Sequence, residues 1–599
     1  MRLLRHFVPT GDLSLENVKS MLAEVEQRSE PEATSNTVFT TKSNSALSNN
    51  ELVETEENVI LQEEKGCMYL DPRGKYRYVD ADSSLRFDHA AHIARQPNRA
   101  EPTRSKHDAS VLHPFITTVM PPSPETVGSF RAVEDLEVVY LPNRETCLRY
   151  ITKFFEQVHA IYWVYSPEQF YMLLDQTLET GGSEASASWL CSLYSIFAIC
   201  SMQPTGQEDQ RNEKSSDDYL RLAREYGVRA ADEADLGSVK ALVLMSLALN
   251  ASFHSVMAYC TIGLTVRIAY SLGLHRNTAH KSLDSVEKER ARRLWWTLYQ
   301  LDQEVSNQLG HPFAIVDEAI CIQTPFASEQ ILDPGRNTPL GYQAICVSLI
   351  KLKKKISQSL YVTPAQTTRR VRFQQVTSCI ASLYDWHASV PSHLRWGSSL
   401  APSHLRAVSV LHLRYWITLV HVTRPFLLHS VTRSAELRNL VKKKRYDDFS
   451  NLCIEAAENA IVILKARHED RNLSSLMLFD SGCIQELVQV FLLAEGKVGR
   501  GTYRANLEFC LRAMRAMEAV GWCKRILPDL ETLLRDTVTV NTDEDESRES
   551  NPKANETQGL NIAAARAHPL QDYGINGSGL FGDAVAFDAA MNSFEDFEL

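Results

Sequence analysis

No two of the twelve cysteines stand close enough for the Cys-x2-Cys spacing that gathers thiolates around a zinc ion, so a cysteine-held cluster is not expected in this chain. Scattered singly through apolar stretches, they read as reduced thiols acting as small hydrophobes. No window approaches the roughly 18 uncharged apolar residues of a membrane span. The opening MRLLRHFVPTGD lacks the apolar core, about 7–15 residues long, of a secretory leader. An intracellular chain without a membrane partner is the expectation. Gly-rich phosphate loops and a nucleophile elbow are missing as well. Asp217-Asp218 is followed by Tyr-Leu-Arg and Asp447-Asp448 by Phe-Ser-Asn, so neither supplies the further carboxylate of an aspartate-rich magnesium motif in an all-helical terpene synthase. His254, His275, His311, His412 and His421 stand alone, without the i, i+4 partner of a helical zinc pair. These absences argue against an enzyme, and no catalytic, cofactor-binding or metal-binding residue is expected. Excess basic charge is lacking too: the formal net charge is −11 and the pI about 5.9, which does not suit binding a polyanion unaided. No period of 20–50 residues repeats, so a tetratricopeptide-type solenoid is not supported.

What the chain does have is helix. Its 599 residues, 44% hydrophobic and 23% charged, suffice for a large soluble core. From Val256 to Leu272 nearly every residue is apolar or small, which predicts a helix buried all round, closed by Gly273 at the left-handed position after its last turn. A second helix is predicted from Asp284, with Glu287 three residues on as in a capping box. Leu294, Leu298, Leu301 and Val305 recur at the helical period, and Gly310 and Pro312 stop the run. Arg267 and Asp302 are charges inside mostly apolar stretches, so Arg267 is expected to pair with Asp302 first or Glu304 second. Trp295 and Trp296, beside Arg292 and Arg293, point about 100° apart on a helix and cannot form one base-stacking platform; core packing is expected.

Gly263-Leu264-Thr265-Val266-Arg267-Ile268-Ala269, Ser271 to Arg276 with Gly273, Leu274 and His275, then Arg292, Arg293, Trp295, Trp296, Asp302, Gly310, Pro312 and Asp317 resemble the middle homology region of the fungal-specific transcription factors. Gln303 and His311 depart from that pattern, where the family mostly has Arg. The resemblance extends over roughly 140 to 535, through Leu141-Pro142-Asn143-Arg144, Val390-Pro391 and Arg424-Pro425-Phe426. It implies an all-α fold of helix hairpins packed around a long central pair. In the family this region lies downstream of a binuclear zinc cluster, which this sequence does not contain.

Along the chain, residues 1–28 read as a short helix, a coiled-coil remnant with Leu15, Val18, Leu22 and Val25 as its seam, or a helix docked on the body. Residues 29–140 read as mostly disordered linker with a small β-hairpin near 67–87, turned at Pro72 and Gly74. Residues 141–537 form the regulatory domain, with helices expected at about 186–200, 218–232, 236–250, 338–361, 365–388, 403–430, 447–468, 476–498, 501–521 and 525–537. Lys351, Lys353, Lys354 and Lys355 are expected on an exposed helix face. Lys442-Lys443-Lys444-Arg445, placed between two helices, has the form of a nuclear-import signal or of a solvated loop. Residues 538–599 form an acidic tail in which Phe581, Phe587, Phe594 and Phe597 stand among carboxylates, the composition of a disordered activation segment.

The combined expectation is a nuclear transcription regulator of the fungal, pathway-specific kind, with the transcription coactivator machinery and a homo- or heterodimer partner as its partners. Promoter DNA would be reached through a partner or through residues upstream of Met1. The alternative is a helical scaffold or co-regulator that does not bind DNA.

Overall fold

The computed structural model describes residues 139–202, 214–276, 284–324, 332–361, 370–432, 437–499, 501–517 and 527–532, short of residues 334, 433–436, 438, 500 and 529 within that span, together with four strands nearer the N-terminus and Phe87. All of these lie in one unit that begins at Thr55. The expected N-terminal helix of 1–28 and the acidic tail of 538–599, with its four phenylalanines, fall outside the described residues.

Helix is the fold. Five helices form the N-terminal layer: α1 (Arg144–Phe154), prolonged by a π-helical turn at Phe155–His159, α2 (Pro167–Glu179), α3 (Ala187–Cys200), α4 (Ser216–Glu233) and α5 (Leu236–Ala251). Local chemistry sets their ends. Ser215 and Asp218 exchange backbone and side-chain bonds in a capping box that opens α4, and Asp235 with Ser238 does the same for α5. Every residue of α3, ASWLCSLYSIFAIC, is buried, because α1, α4 and α5 pack around it. The expected helices at 186–200, 218–232 and 236–250 thus match to within about two residues.

Helices α6 (Ser255–Ser271), α7 (Ser285–Leu309) and α8 (Tyr342–Leu360) follow. Asp284 accepts the Glu287 amide at 2.7 Å, opening α7; Gly310, at φ +67°, closes it, and Gly273, at φ +71°, follows α6. Helix α7 is enclosed, with Leu294, Trp295, Trp296 and Leu298 fully buried. Helix α6 is not. It packs on α5 and α7 through Ala258, Ile262, Val266 and Ala269, while Met257, Cys260, Leu264 and Arg267 form an exposed stripe. The expectation of burial all round failed because an apolar helix needs only two packed neighbours, and the third side here meets solvent.

The C-terminal layer comprises α9 (Phe373–Ser389), α10 (Leu405–Thr432), α11 (Leu440–Glu469), α12 (Leu478–Val498) and α13 (Arg504–Ala516). Helix α10 lies at its heart, against α8, α9, α11 and α12. It runs unbroken through Pro425, whose missing amide cannot serve the carbonyl of His421. The hydroxyl of Tyr361 donates to that carbonyl at 2.7 Å instead, so the buried acceptor stays paired. Residues 527–528 and 530–532 are helical, and the rest of the helix expected near 525–537 is outside the described residues.

Strands are few and short. The expected hairpin is present as β2 (Cys67–Leu70) against β3 (Tyr76–Val79), antiparallel with Leu70 opposite Tyr76. A strand not foreseen, β4 (Val111–Leu112), adds to β2 in parallel. Another pair joins β1 (Asn58–Ile60) to β5 (Arg370–Arg372), so the three residues of β5 are strand where they were expected to be helical.

Candidate functional site: a strap across the central helices

Beyond Gly310 the chain doubles back across α6, α7 and α8 as a strap reaching Gln323. Having no regular partner of its own, its backbone needs side chains to satisfy it. The carboxylate of Asp302, 2% exposed, accepts the amides of Ala314 at 3.0 Å and Ile315 at 2.9 Å. Burial pushes this carboxyl up from its ordinary range, while the two amides and the Lys354 ammonium pull it down. Lys354, also buried, donates to the Ile315 carbonyl at 2.8 Å and to Asp317 at 2.7 Å. Asp317 accepts from the Tyr299 hydroxyl at 3.1 Å, and burial followed by the Asp317 charge raises that phenol.

The indole of Trp296 donates to the carbonyl of Gln323 at 2.9 Å, and the Tyr259 hydroxyl to that of Pro312 at 3.0 Å. Tyr270 accepts the Val316 amide at 3.1 Å, and the His275 carbonyl accepts the Cys321 amide at 2.9 Å. His275 is itself packed against Tyr270 and Trp295, with burial and then Arg276 lowering its pKa. Thus His275, Trp296, Asp302, Gly310, Pro312 and Asp317, dispersed through the sequence motif, meet in one belt. Its chemistry is that of a clamp: charge-assisted and neutral hydrogen bonds fix an irregular segment, and no nucleophile or proton-transfer pair is assembled.

The expected tie between Arg267 and a carboxylate is absent. Arg267 lies on the exposed stripe of α6, and Asp302 is taken by the strap amides. Glu304 turns to the buried Arg414 of α10, at 2.5 Å, and accepts from the Tyr162 hydroxyl. That guanidinium also lies over the rings of Tyr162 and Phe479. The sequence placed a buried cation correctly in kind but in the wrong helix, since Arg414 stands among Leu413 and Tyr415 with no nearer mark of burial than its apolar surroundings. Lys354, expected on an exposed face, is instead the strap's buried ammonium. Gly263 has open space around it, so its position imposes no need for glycine. Leu274 is buried and Pro312 is held through its carbonyl.

Trp295 and Trp296 are both fully buried, as expected, and present no surface to a nucleobase. Glu289, 1% exposed, holds Arg292 at 2.7 Å and Arg293 at 3.1 Å. Lys442 to Arg445 do not form a loop: they occupy the first turn and a half of α11, capped by Asn439, with Lys442 buried and Lys443 and Lys444 exposed. Ten cysteines have described side chains, all free thiols, and no group of three or more His, Cys, Asp or Glu able to hold a metal occurs among the described residues. No helix among them is long and apolar enough to cross a membrane.

Against known proteins, residues 151–388 match the fungal specific transcription factor domain, a stretch that runs from the last turn of α1 into α9 and includes the whole strap. An uncharacterized transcriptional regulatory protein of Schizosaccharomyces pombe is 23% identical over 69% of this chain and 51% of its own length. Transcription factor FBD3 of Gibberella moniliformis is 25% identical over 58% of this chain and 48% of its own. The chain therefore spans about half the length of the curated relatives it matches. The K. lactis CBF3 core superposes with a TM-score of 0.40 and 11% identity, over 73% of this chain and 96% of that one. Asp302, Trp296, His275, Gly310, Pro312 and Asp317, which hold or shape the strap, all lie within the stretch at residues 151–388 that matches the fungal specific transcription factor domain.

Proposed function

We propose that the chain is a nuclear, pathway-specific regulator of transcription whose helical body sets its activity and whose acidic C-terminal segment engages the coactivator machinery. One observation carries the reading: the motif of a transcription factor domain is spent here on clamping a strap, which suits a body that holds or changes conformation and not one that turns over a substrate. Relatives named as transcriptional regulators support it. Contact with promoter DNA would come through a zinc cluster encoded upstream or through a dimer partner, because a net charge of −11 gives this chain no basic face of its own to spare. Nuclear import through Lys442–Arg445 would require the start of α11 to unwind, since a basic run read in extended form cannot be read as helix.

Chromatin immunoprecipitation of the tagged full-length chain is the test. Enrichment at a defined set of promoters is expected. A protein that enters nuclei without enrichment anywhere would favour the co-regulator reading, and exclusion from nuclei under all growth conditions would favour the scaffold.

A further inference from the structure

Two short pieces of the chain ahead of α1 rest on the C-terminal layer. Strand β1 pairs antiparallel with β5, Val59 opposite Val371, and β5 runs directly into α9. There Phe373 stacks against Phe426 of α10, with 6.2 Å between ring centroids. Phe87 is the second piece. Its side chain is fully buried, and its ring lies 4.5 Å from the guanidinium of Arg424, which is fully buried too and pairs with Glu486 of α12 at 2.8 Å. Residues two apart on a helix point about 200° apart, so Arg424 and Phe426 face opposite sides of α10. The chain from β1 to Phe87 is therefore fastened on both sides of one helix, at nearly one level along it.

The two attachments differ in kind, and both are small. A pair of three-residue strands has little stability of its own. A phenyl face over a desolvated guanidinium adds cation–π attraction to the burial of its ring. Neither gain alone offsets the entropy lost in ordering the chain that joins them, so each attachment depends on the other. Letting go requires no two helices of the body to part, which makes the contact reversible.

We propose that β1 and Phe87 are the two fasteners of a detachable clasp, through which the C-terminal layer holds or frees the chain that precedes α1. The partner of this surface is a segment of the same chain, recognised as extended backbone at β5 and as an aromatic ring at the Arg424–Glu486 pair. As a device of regulation it rests on the reading of the body as a regulatory domain. Docked, the clasp fixes where the N-terminal end leaves the body. Released, it lets that end move and uncovers Arg424 on the side where the ring had lain.

The test is limited trypsin digestion of the full-length chain under native conditions, with hydrogen exchange of the Arg370–Arg372 amides read in parallel. The bond after Arg86 can enter a protease only when Phe87 leaves its seat. Phe87→Ala should raise cleavage at that bond about tenfold and, at the other fastener, speed exchange in β5 about as much, because local opening is shared within a cooperative unit. The double change Val59→Pro with Ile60→Pro removes whichever of the two amides donates to β5, and should quicken cleavage after Arg86 from the opposite end. Cleavage after Arg86 that neither variant quickens, or β5 exchange unmoved by Phe87→Ala, would overturn the proposal. Should Phe87→Ala not fold, the proline variant decides alone: unchanged cleavage after Arg86 overturns the clasp, and a rise of about tenfold upholds it. Digestion does not depend on promoter occupancy, so this result and the chromatin experiment can fail separately.

Discussion

The N-terminal and C-terminal layers fill their cores by different means. Around α3 and α5 the interior is mainly apolar and aromatic, with Lys240 its buried cation and no buried ion pair among the described residues: Phe170 meets Trp189 at 5.0 Å between centroids, and Leu190, Leu193, Ile196, Leu242 and Leu244 are buried with them. Around α10 three arginines are buried along one helix. Arg406 pairs with Asp480 at 2.6 Å, Arg414 with Glu304 at 2.5 Å and Arg424 with Glu486 at 2.8 Å. Apolar packing is non-directional and tolerates a change of shape, whereas a buried ion pair is cheap only while both members are present. The first layer should therefore yield gradually to mutation and the second abruptly.

The largest effect is expected from splitting one pair. Arg406→Met leaves Asp480, fully buried, with only the Ser474 amide as a partner and should cost about 3–5 kcal/mol. Replacing both, Arg406→Met with Asp480→Leu, should restore most of that loss in a urea melt. If the double variant is as unstable as the single one, the cost lies in packing and the contrast between the layers is gone. In the apolar layer Leu244→Ala should cost about 2–5 kcal/mol through its cavity, but Leu244→Met less than about 1.5 kcal/mol. An equally large loss with Met would show that this core is no more forgiving than the other.

What could be read from the sequence follows the same division. Helices α3, α4 and α5 were legible as apolar or helix-forming runs of the right length between breaks, whereas the capping boxes at Ser215 and Asp235 that set the starts of α4 and α5 emerged only in the structure. The carboxyl-terminal helices were legible in position but not in chemistry. Nothing near Arg406, Arg414 or Arg424 in the chain names Asp480, Glu304 or Glu486, because partners 74, 110 and 62 residues apart are set by packing and not by period. The strap was legible only as a resemblance. Several of its residues stand in the quoted motif, but their common position emerged only when Gly310 turned the chain back over α7. Lys354 was missed because three neighbouring lysines hid it in what looked like a solvated face.

Acid should probe both layers, since each holds a buried histidine whose pKa is pushed well below its ordinary value. His159 and His412 are each held at about 4, against an ordinary 6.5, chiefly by burial. With the folded pKa below the unfolded one, the unfolded chain binds more protons between about pH 6.5 and 4. Stability is therefore full above pH 6.5 and lost as the pH falls through that window. Each histidine contributes about 3 kcal/mol to the fall. In urea melts from pH 7 to 4.5, His412→Gln should flatten the slope by about that histidine's share; an unchanged slope would assign acid sensitivity to the carboxylate pairs instead.

A smaller loss tests whether α10 depends on a single hydroxyl. Tyr361→Phe removes the donor that serves the His421 carbonyl opposite Pro425 and should cost about 1–3 kcal/mol. The companion change Pro425→Ala restores the helix amide, so the pair together should lose less than Tyr361→Phe alone. Additive losses would mean that the hydroxyl and the proline are not coupled.

The smallest effect belongs to α6, which packs on α5 and α7 and was expected to be enclosed. Leu264 is 46% exposed on the outward stripe, and Ile262, two residues away, is 1% exposed against the neighbouring helices. Leu264→Ser should change stability by no more than about 0.5 kcal/mol. Ile262→Ser removes buried apolar surface and places a hydroxyl where none is served, so it should cost several times more, about 2–4 kcal/mol. Because the two positions share one helix and nearly one helical propensity, the ratio of their effects measures burial alone. A ratio near one would mean that the outward face of α6 is covered in solution, and the helix would then belong to the core as its sequence first suggested.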